Sequence, residues 1–473
     1  MFAGIAFSRL CTKKTNETKP NILFICVDDL RRELGAYGSV VKTPNIDRLA
    51  SQGSLFFQHY VQVPTSGASR ASMLTGHFPK DKSDLSNEAC RTRLSDKPEG
   101  EIPETMFHHL RRNGYYTVGI GKISHYVDGC LYGYEAPKTE KPELPYSWDE
   151  MLFDAGKWGN GWNAFFGYAD GSNRQSRKKQ VKPYECADVA DEGYPDGLTA
   201  NLAVKKLNEL TAKNEPFCLA VGFFKPHLPF TSPKKYWDMY EREQIPLATN
   251  PYYPSDLPKK VEPSKEIFSY ARVTDTNEEA FQREAKHGYY ACVSYIDAQI
   301  GLILDELEKL GLDKNTIVVF LGDHGWALGE HTFWGKHTLF DKATHVPLIV
   351  RVPGMETGST QSMVSFVDLY PTLCELCGLP KPEGQLQGKS LVPILKDPEA
   401  SVQSEVYIQW EGGDNLVNNR YNYAEWVKPE KTIRMLFDHQ EDKDENHNIA
   451  SQSRYQSLMN GFSAIIRKIK AHL

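Results

Sequence analysis

Residues Thr316–Gly322 read TIVVFLG and run straight into Asp323-His324-Gly325. Six apolar or β-branched residues closed by glycine is the pattern of a strand buried on both faces. Three other runs share it. Asn21–Val27 (NILFICV) ends in Asp28-Asp29. Tyr116–Gly121 (YTVGIG) ends in Lys122, with His125 three residues on, and residues 217–224 (FCLAVGFF) end in Lys225-Pro226-His227. Helical patterns lie between these runs, which predicts a mostly parallel sheet flanked by helices. In such a sheet the strand C-termini share one edge, where ligands bind. Side chains hundreds of positions apart are therefore expected to meet at one enzyme site.

Bulk properties narrow the class. The chain has 473 residues, enough for one large α/β domain and a smaller one, and carries a net charge of −6. That balance argues against a nucleic-acid binder relying on a global basic field, while leaving room for a local basic pocket. Nine cysteines are scattered without a small-domain disulfide pattern. Cys374 and Cys377 lie in a helical context and read as buried thiols. No apolar stretch approaches the roughly 20 residues needed to span a membrane. Residues 1–19 read as a leader or the remnant of an export signal, without the usual basic start or full apolar centre.

Along the chain, residues 43–53 predict a proline-started helix closed by glycine, and residues 55–63 an extended run leading to a helix near Ala68. Residues 126–195 show little periodicity and read as an irregular, substrate-covering insertion. Helices are expected over 198–212 and 278–310. Strand–helix alternation fades near residue 396. Beyond it come strand-like runs at Glu405–Trp410, 421–426 and 432–437 and a helix over 453–472. The expected division is a catalytic domain over 20–395 and a smaller C-terminal α+β subdomain over 396–473.

Asp28, Asp29, Asp323 and His324 offer three hard oxygen donors and one imidazole, a set that suits Ca²⁺, Mg²⁺ or Mn²⁺. Taken singly, an Asp-Asp at a strand end is as readily a turn or a cap. Residues 63–76 read VPTSGASRASMLTG and place Ser66 at a helix start, with Arg70 one turn on. A helix start is a natural anion site. By chemistry alone, Ser66 is more readily an N-cap.

Here the chain resembles a family. Ser66-Gly67-Ala68-Ser69-Arg70 followed by Leu74-Thr75-Gly76 is similar to the signature of the type I, formylglycine-dependent sulfatases. Asp28-Asp29, Gly121-Lys122 with His125, Lys225-Pro226-His227 with Pro229-Phe230, and Asp323-His324-Gly325 with Leu328-Gly329-Glu330-His331 follow in that family's order. Lys336 and Thr344-His345-Val346-Pro347-Leu348 come next. The Lys-Pro-His and Asp-His-Gly-Trp forms most resemble its iduronate-2-sulfatase-like branch.

The resemblance implies an alkaline-phosphatase-like fold and hydrolysis of a sulfuric ester on a sulfated carbohydrate. It implies one Ca²⁺ held by Asp28, Asp29, Asp323, His324 and residue 66, with Ser66 oxidised to formylglycine by a maturation enzyme. The hydrated aldehyde would be the nucleophile. Arg70 would orient it, Lys122 and Lys336 would hold sulfate oxygens, His125 would be the base that regenerates the aldehyde, and His227 the acid for the leaving oxygen. Lys225, Trp326, His331, Trp334, Trp162 and Arg174 are candidate substrate contacts. Trp158, Phe165, Phe166 and Tyr168 are further possible sugar platforms, and Arg177, Lys178, Lys179 and Lys182 possible receivers of acidic groups. A periplasmic or secreted location is implied by the family.

Two departures matter: Ala68 stands where many relatives have proline, and Ser66 where many have cysteine. Serine-type members are matured by a radical enzyme. A Cys-to-Ser exchange made to trap a substrate would read identically and would leave a silent binder. A phosphoester hydrolase of the same superfamily is the third reading. The branch suggests a uronic-acid 2-O-sulfate or an algal sulfated polysaccharide unit.

Overall fold

A computed structural model describes residues 19–213, 215–258, 261–271, 273, 275–382 and 386–473. Most of the predicted leader, residues 1–18, lies outside them. The four apolar runs form neighbouring strands of one eight-stranded sheet. Its order is Gly358–Ser365, Ser54–Tyr60, Leu348–Arg351, Thr316–Gly322, Asn21–Val27, Phe217–Phe223, Tyr116–Gly121, Glu150–Leu152. Leu348–Arg351 is antiparallel to both neighbours, and the remaining pairs are parallel. Ile22, Phe24 and Cys26 pack into one apolar cluster and Leu23, Ile25 and Val27 into another. Both faces are thus covered, which is why the runs are apolar throughout instead of alternating.

Register brings the strand ends level. Val27 pairs with Phe223 on one side and with Gly322 on the other, and Gly121 pairs with Gly222. The pairing continues one step further, with Asp28 N–H on Phe223 O (3.2 Å), Asp323 N–H on Val27 O (3.0 Å) and Lys122 N–H on Gly222 O (3.1 Å). Gly222 is required here, because a Cβ would sit 2.0 Å from the Lys122 carbonyl oxygen.

Helices Pro44–Ser51, Pro195–Thr211 and Glu279–Lys309 pack on one face, and Ser66–Thr75, Met106–Arg112 and Leu369–Leu376 on the other. Residues 126–195 are largely irregular, as expected, but not wholly so. They supply the edge strand Glu150–Leu152, the helix Gly161–Phe165 and the strand Tyr184–Ala187, which pairs with Phe230–Pro233. These pieces are three to five residues long, too short to show a period.

The C-terminal sheet is an antiparallel meander of Glu405–Trp410, Gly413–Asn418, Tyr421–Val427 and Thr432–Asp438. Helix Gln456–Lys470 packs against it. Val406, Ile408, Val417, Ala424 and Phe437 join Tyr60, Leu339 and Phe340 in a shared core. Buried Glu445 accepts from the Asp341 N–H at 2.8 Å and from His439 at 2.9 Å. Among the described residues no helix is long and apolar enough to cross a membrane. Cys374 and Cys377 are buried thiols.

Candidate active site

Ser66 is the first residue of its helix; extended Thr65 holds the cap position before it. The N-cap alternative therefore does not hold. The Ser66 hydroxyl instead lies 2.9 Å from Asp28 Oδ1 and 2.9 Å from His324 Nε2. Gly67 lets the helix start sit tightly, since a Cβ there would meet the Asn87 carbonyl oxygen at 2.2 Å.

Around that hydroxyl the strand ends converge. Single ligand atoms of Asp28, Asp29, Asp323 and His324 all lie within 4.8 Å of one another, and all four residues are buried. His324 Nδ1–H donates to the Gly325 carbonyl at 3.0 Å, which leaves the Nε2 lone pair facing the carboxylates. Asp29 Oδ2 is buried without a hydrogen-bond partner among the described residues. An orphaned carboxylate oxygen, two further carboxylates and a lone-pair nitrogen fit a hard divalent cation.

Three cations face the three carboxylates. Arg70 Nε donates to Asp323 Oδ2 at 2.8 Å, and its Nη2 is 3.5 Å from Asp28. Another arm of the guanidinium donates to the carbonyls of Lys122 and Ile123, fixing the loop that carries His125. Lys122 Nζ donates to Asp28 Oδ2 at 2.5 Å, and Lys336 Nζ to Asp29 Oδ1 at 2.8 Å. Each lysine thus enters from a different carboxylate.

Burial raises the Asp28 carboxyl, but Lys122, His227 and Arg70 outweigh it and hold it well below the ordinary range. Burial pushes Asp29 well above that range, against the pull of Lys336, with Asp28 and Asp323 adding to the rise. Asp323 is pushed up to about 6 by burial, against Arg70. These carboxylates are crowded, and a divalent ion would relieve them. Burial also lowers His125, His227 and His324, with Lys122 adding to the effect at His125 and Lys336 at His227 and His324.

His227 Nδ1–H donates to the Leu228 carbonyl at 2.6 Å. Its Nε2 lies 3.8 Å from Asp29 and 3.5 Å from Glu266. The loop before it is held by buried Asp196, which accepts from the Phe224 and Lys225 N–H groups. Buried Glu143 plays the same part for the His125 loop, accepting from the Ser124 hydroxyl and the Tyr126 N–H. Neither Glu266, Asp196 nor Glu143 stands in a periodic or strand-end pattern, so nothing in the sequence marked them.

Several predicted substrate contacts are enclosed or already partnered in this structure. Trp158, Trp162, Phe165, Phe166, Tyr168, Trp326 and Trp334 are buried among other side chains. Trp162 donates to the Tyr132 carbonyl, and the Trp326 ring lies 5.5 Å from Lys336 Nζ. Lys225 Nζ is spent on the carbonyls of His227 and Pro229, so it knits its own loop. His331 is buried against Phe340, and His345 bridges Asp341 and the Phe57 carbonyl. Arg174 stacks on Phe166 at 3.7 Å and pairs with Glu266 at 3.2 Å.

Comparison with known proteins accords with this geometry. The family described as Sulfatase matches residues 20–379, and the one described as N-sulphoglucosamine sulphohydrolase, C-terminal, matches residues 329–472. Iduronate 2-sulfatase of Mus musculus is 35% identical over 410 residues, covering 76% of this chain and 69% of its own length. The Homo sapiens protein of the same name is 34% identical over 427 residues, covering 81% and 74%. A phosphonate monoester hydrolase from Silicibacter pomeroyi superposes with a TM-score of 0.77 at 22% identity, over 96% of this chain and 95% of its own, a likeness of fold. The chain belongs to the sulfatase family. It is a sulfuric ester hydrolase on an alkaline-phosphatase-like fold with iduronate-2-sulfatase-like relatives.

Proposed function

We propose that this sulfatase removes the 2-O-sulfate of a uronic acid in a sulfated carbohydrate, using Ser66 in its formylglycine form. The observation that carries the reading is the Ser66 hydroxyl, held 2.9 Å from both Asp28 and His324 in a ring of three buried cations. The 2-O-uronate part rests on the similarity to iduronate 2-sulfatases.

A plain serine hydroxyl is a weak nucleophile, and an aldehyde hydrate at residue 66 would supply an acidified one. Asp28, Asp29, Asp323 and His324 would hold Ca²⁺, which would neutralise charge on the sulfate and on residue 66. Arg70 fixes Asp323 and the His125 loop together, so nucleophile and base keep one geometry. Lys122 and Lys336 are assigned to the sulfate oxygens, exchanging their present carboxylate contacts for the anion. His125 is the base that takes a proton from residue 66 when sulfate leaves. His227 delivers a proton to the sugar oxygen, and an anionic ester bound beside it raises its proton affinity as that role requires.

Residues 20–395 would form the catalytic domain, with 396–473 as a bracing subdomain, and the protein would work in the periplasm or outside the cell. If Ser66 is left unoxidised, the site binds ester without turnover. The test is a screen of defined sulfated oligosaccharides on protein matured by a formylglycine-generating enzyme. Sulfate release from a terminal 2-O-sulfated uronic acid is expected. Release only from 6-O-sulfated amino sugars would overturn the substrate assignment.

A further inference from the structure

Tyr134 packs edge-on against Trp162 and Phe166, with ring centroids 4.5 and 5.3 Å away. Trp162 in turn contacts the His125 ring at 5.5 Å, and Phe166 the His227 ring at 6.1 Å. One aromatic layer therefore links Tyr134 to both imidazoles of the sulfate site. Tyr134 is 43% exposed, in contrast to the buried rings of that layer. It lines a cavity of about 530 Å³ together with Glu135, Asn173, Gln175, Lys178 and Lys179. That volume lies within the range of roughly 300–1,000 Å³ usual for small-molecule sites.

The lining of this cavity is polar and net basic. Lys178 and Lys179 are exposed and form no ion pair among the described residues. They outnumber the one acid in the lining, Glu135. Both take left-handed backbone angles (φ 50° and 60°), which lysine rarely adopts. Gln175 adds an amide with neither end partnered among the described residues. Arg174 ties the loop down through Glu266, the carboxylate that also faces His227 at 3.5 Å.

We infer that this cavity is an accessory subsite for a second acidic sugar, one or more units from the ester being cut. The Tyr134 ring stacks on the sugar face, and Lys178 and Lys179 receive its carboxylate or sulfate. The inference rests on the sulfated-carbohydrate reading above and adds that the substrate is an anionic oligosaccharide, not a lone sulfated sugar.

The test compares matured wild type with a Lys178→Gln/Lys179→Gln double variant and with Tyr134→Ala. Each is assayed on a heparin-derived tetrasaccharide ending in a 2-O-sulfated uronic acid and on a small aryl sulfate. The tetrasaccharide KM is expected to rise about tenfold in the double variant with kcat held, while aryl sulfate hydrolysis stays within about twofold. Tetrasaccharide kinetics unchanged in both variants would overturn the subsite. Equal losses on both substrates would also overturn it, by locating the defect in the sulfate slot or the fold. If wild type cleaves the aryl ester but not the tetrasaccharide, the 2-O-uronate reading is what fails. Calorimetric titration with that tetrasaccharide and with a sulfated galactan tetrasaccharide then decides the subsite. Weaker binding of either by the double variant supports it, and equal or absent binding overturns it.

Discussion

Ser66 Oγ lies 2.9 Å from His324 Nε2, a residue 258 positions away in the chain. Asp28 holds the same hydroxyl from a second strand end. The helix start and two parallel strands thus share one atom, and that atom is where the proposed chemistry begins.

Replacing that atom is the first expectation. Ser66→Ala should lower sulfate release by about a thousandfold or more while leaving the fold intact, because only an oxygen is removed from a packed helix start. In active protein, the peptide spanning Ser66 should be lighter by two hydrogens. Full activity with an unaltered Ser66 peptide would rule out the formylglycine reading.

The crowded carboxylates predict a strong response to metal removal. Chelation should lower both activity and melting temperature, and Ca²⁺ should restore both. At a hundredfold excess over its dissociation constant, the ion adds about 3 kcal/mol to stability. Asp323→Asn should weaken the Ca²⁺ dependence of melting. Protein whose melting ignores both chelator and Ca²⁺ would count against a resident cation.

His227→Gln separates the two proton-transfer roles. Its loss should slow hydrolysis of a sugar sulfate by roughly 10²–10⁴-fold, since an alkoxide leaves poorly without a proton. An aryl sulfate with an acidic leaving group should be affected far less. Equal slowing of both esters would move the acid role to another residue, with Lys336 next to be tested.

Glu143 gives a pH dependence of stability. Burial pushes its carboxyl from 4.5 up to about 7, against the hydrogen bonds from Ser124 and Tyr126. A proton bound more tightly in the folded state stabilises fully below the unfolded value. That contribution is lost as pH rises from about 4.5 through about 7. A shift of that size corresponds to about 3 kcal/mol. Glu143→Gln keeps an acceptor oxygen without the charge. Thermal unfolding of the variant should therefore gain on wild type as pH rises across that window. Parallel pH profiles would show that Glu143 does not titrate there.

What the sequence disclosed was local, and what it hid was tertiary. The runs ending in Asp28-Asp29, Lys122, Lys225 and Asp323 were legible because a strand buried on both faces has no alternation to confuse the pattern. The metal-type cluster followed from parallel alignment alone. Gly413–Asn418 was missed as a strand because it holds Asp414, Asn415 and Asn418. Buried Asn415 is tolerated by donating to the Tyr423 carbonyl at 2.8 Å. The burial of the tryptophans was illegible for a related reason. An aromatic residue in an aperiodic stretch looks the same whether its ring faces sugar or core, and only packing decides. Glu266, standing 3.5 Å from His227, comes from a short 3₁₀ turn with no recognisable motif.

Ser66 is only 2% exposed, enclosed by its own helix and by the strand ends at Asp28 and His324. If residue 66 is the proposed formylglycine, an enzyme that oxidises its side chain could not reach it once those pieces have assembled. Maturation would then compete in time with folding. The residue would have to be altered while residues 63–76 are still an open peptide, before the C-terminal half of the chain brings His324 into place. Folded serine-form protein would be a dead end that later addition of a maturation enzyme does not rescue, and preparations would differ in activity according to how quickly the chain closed.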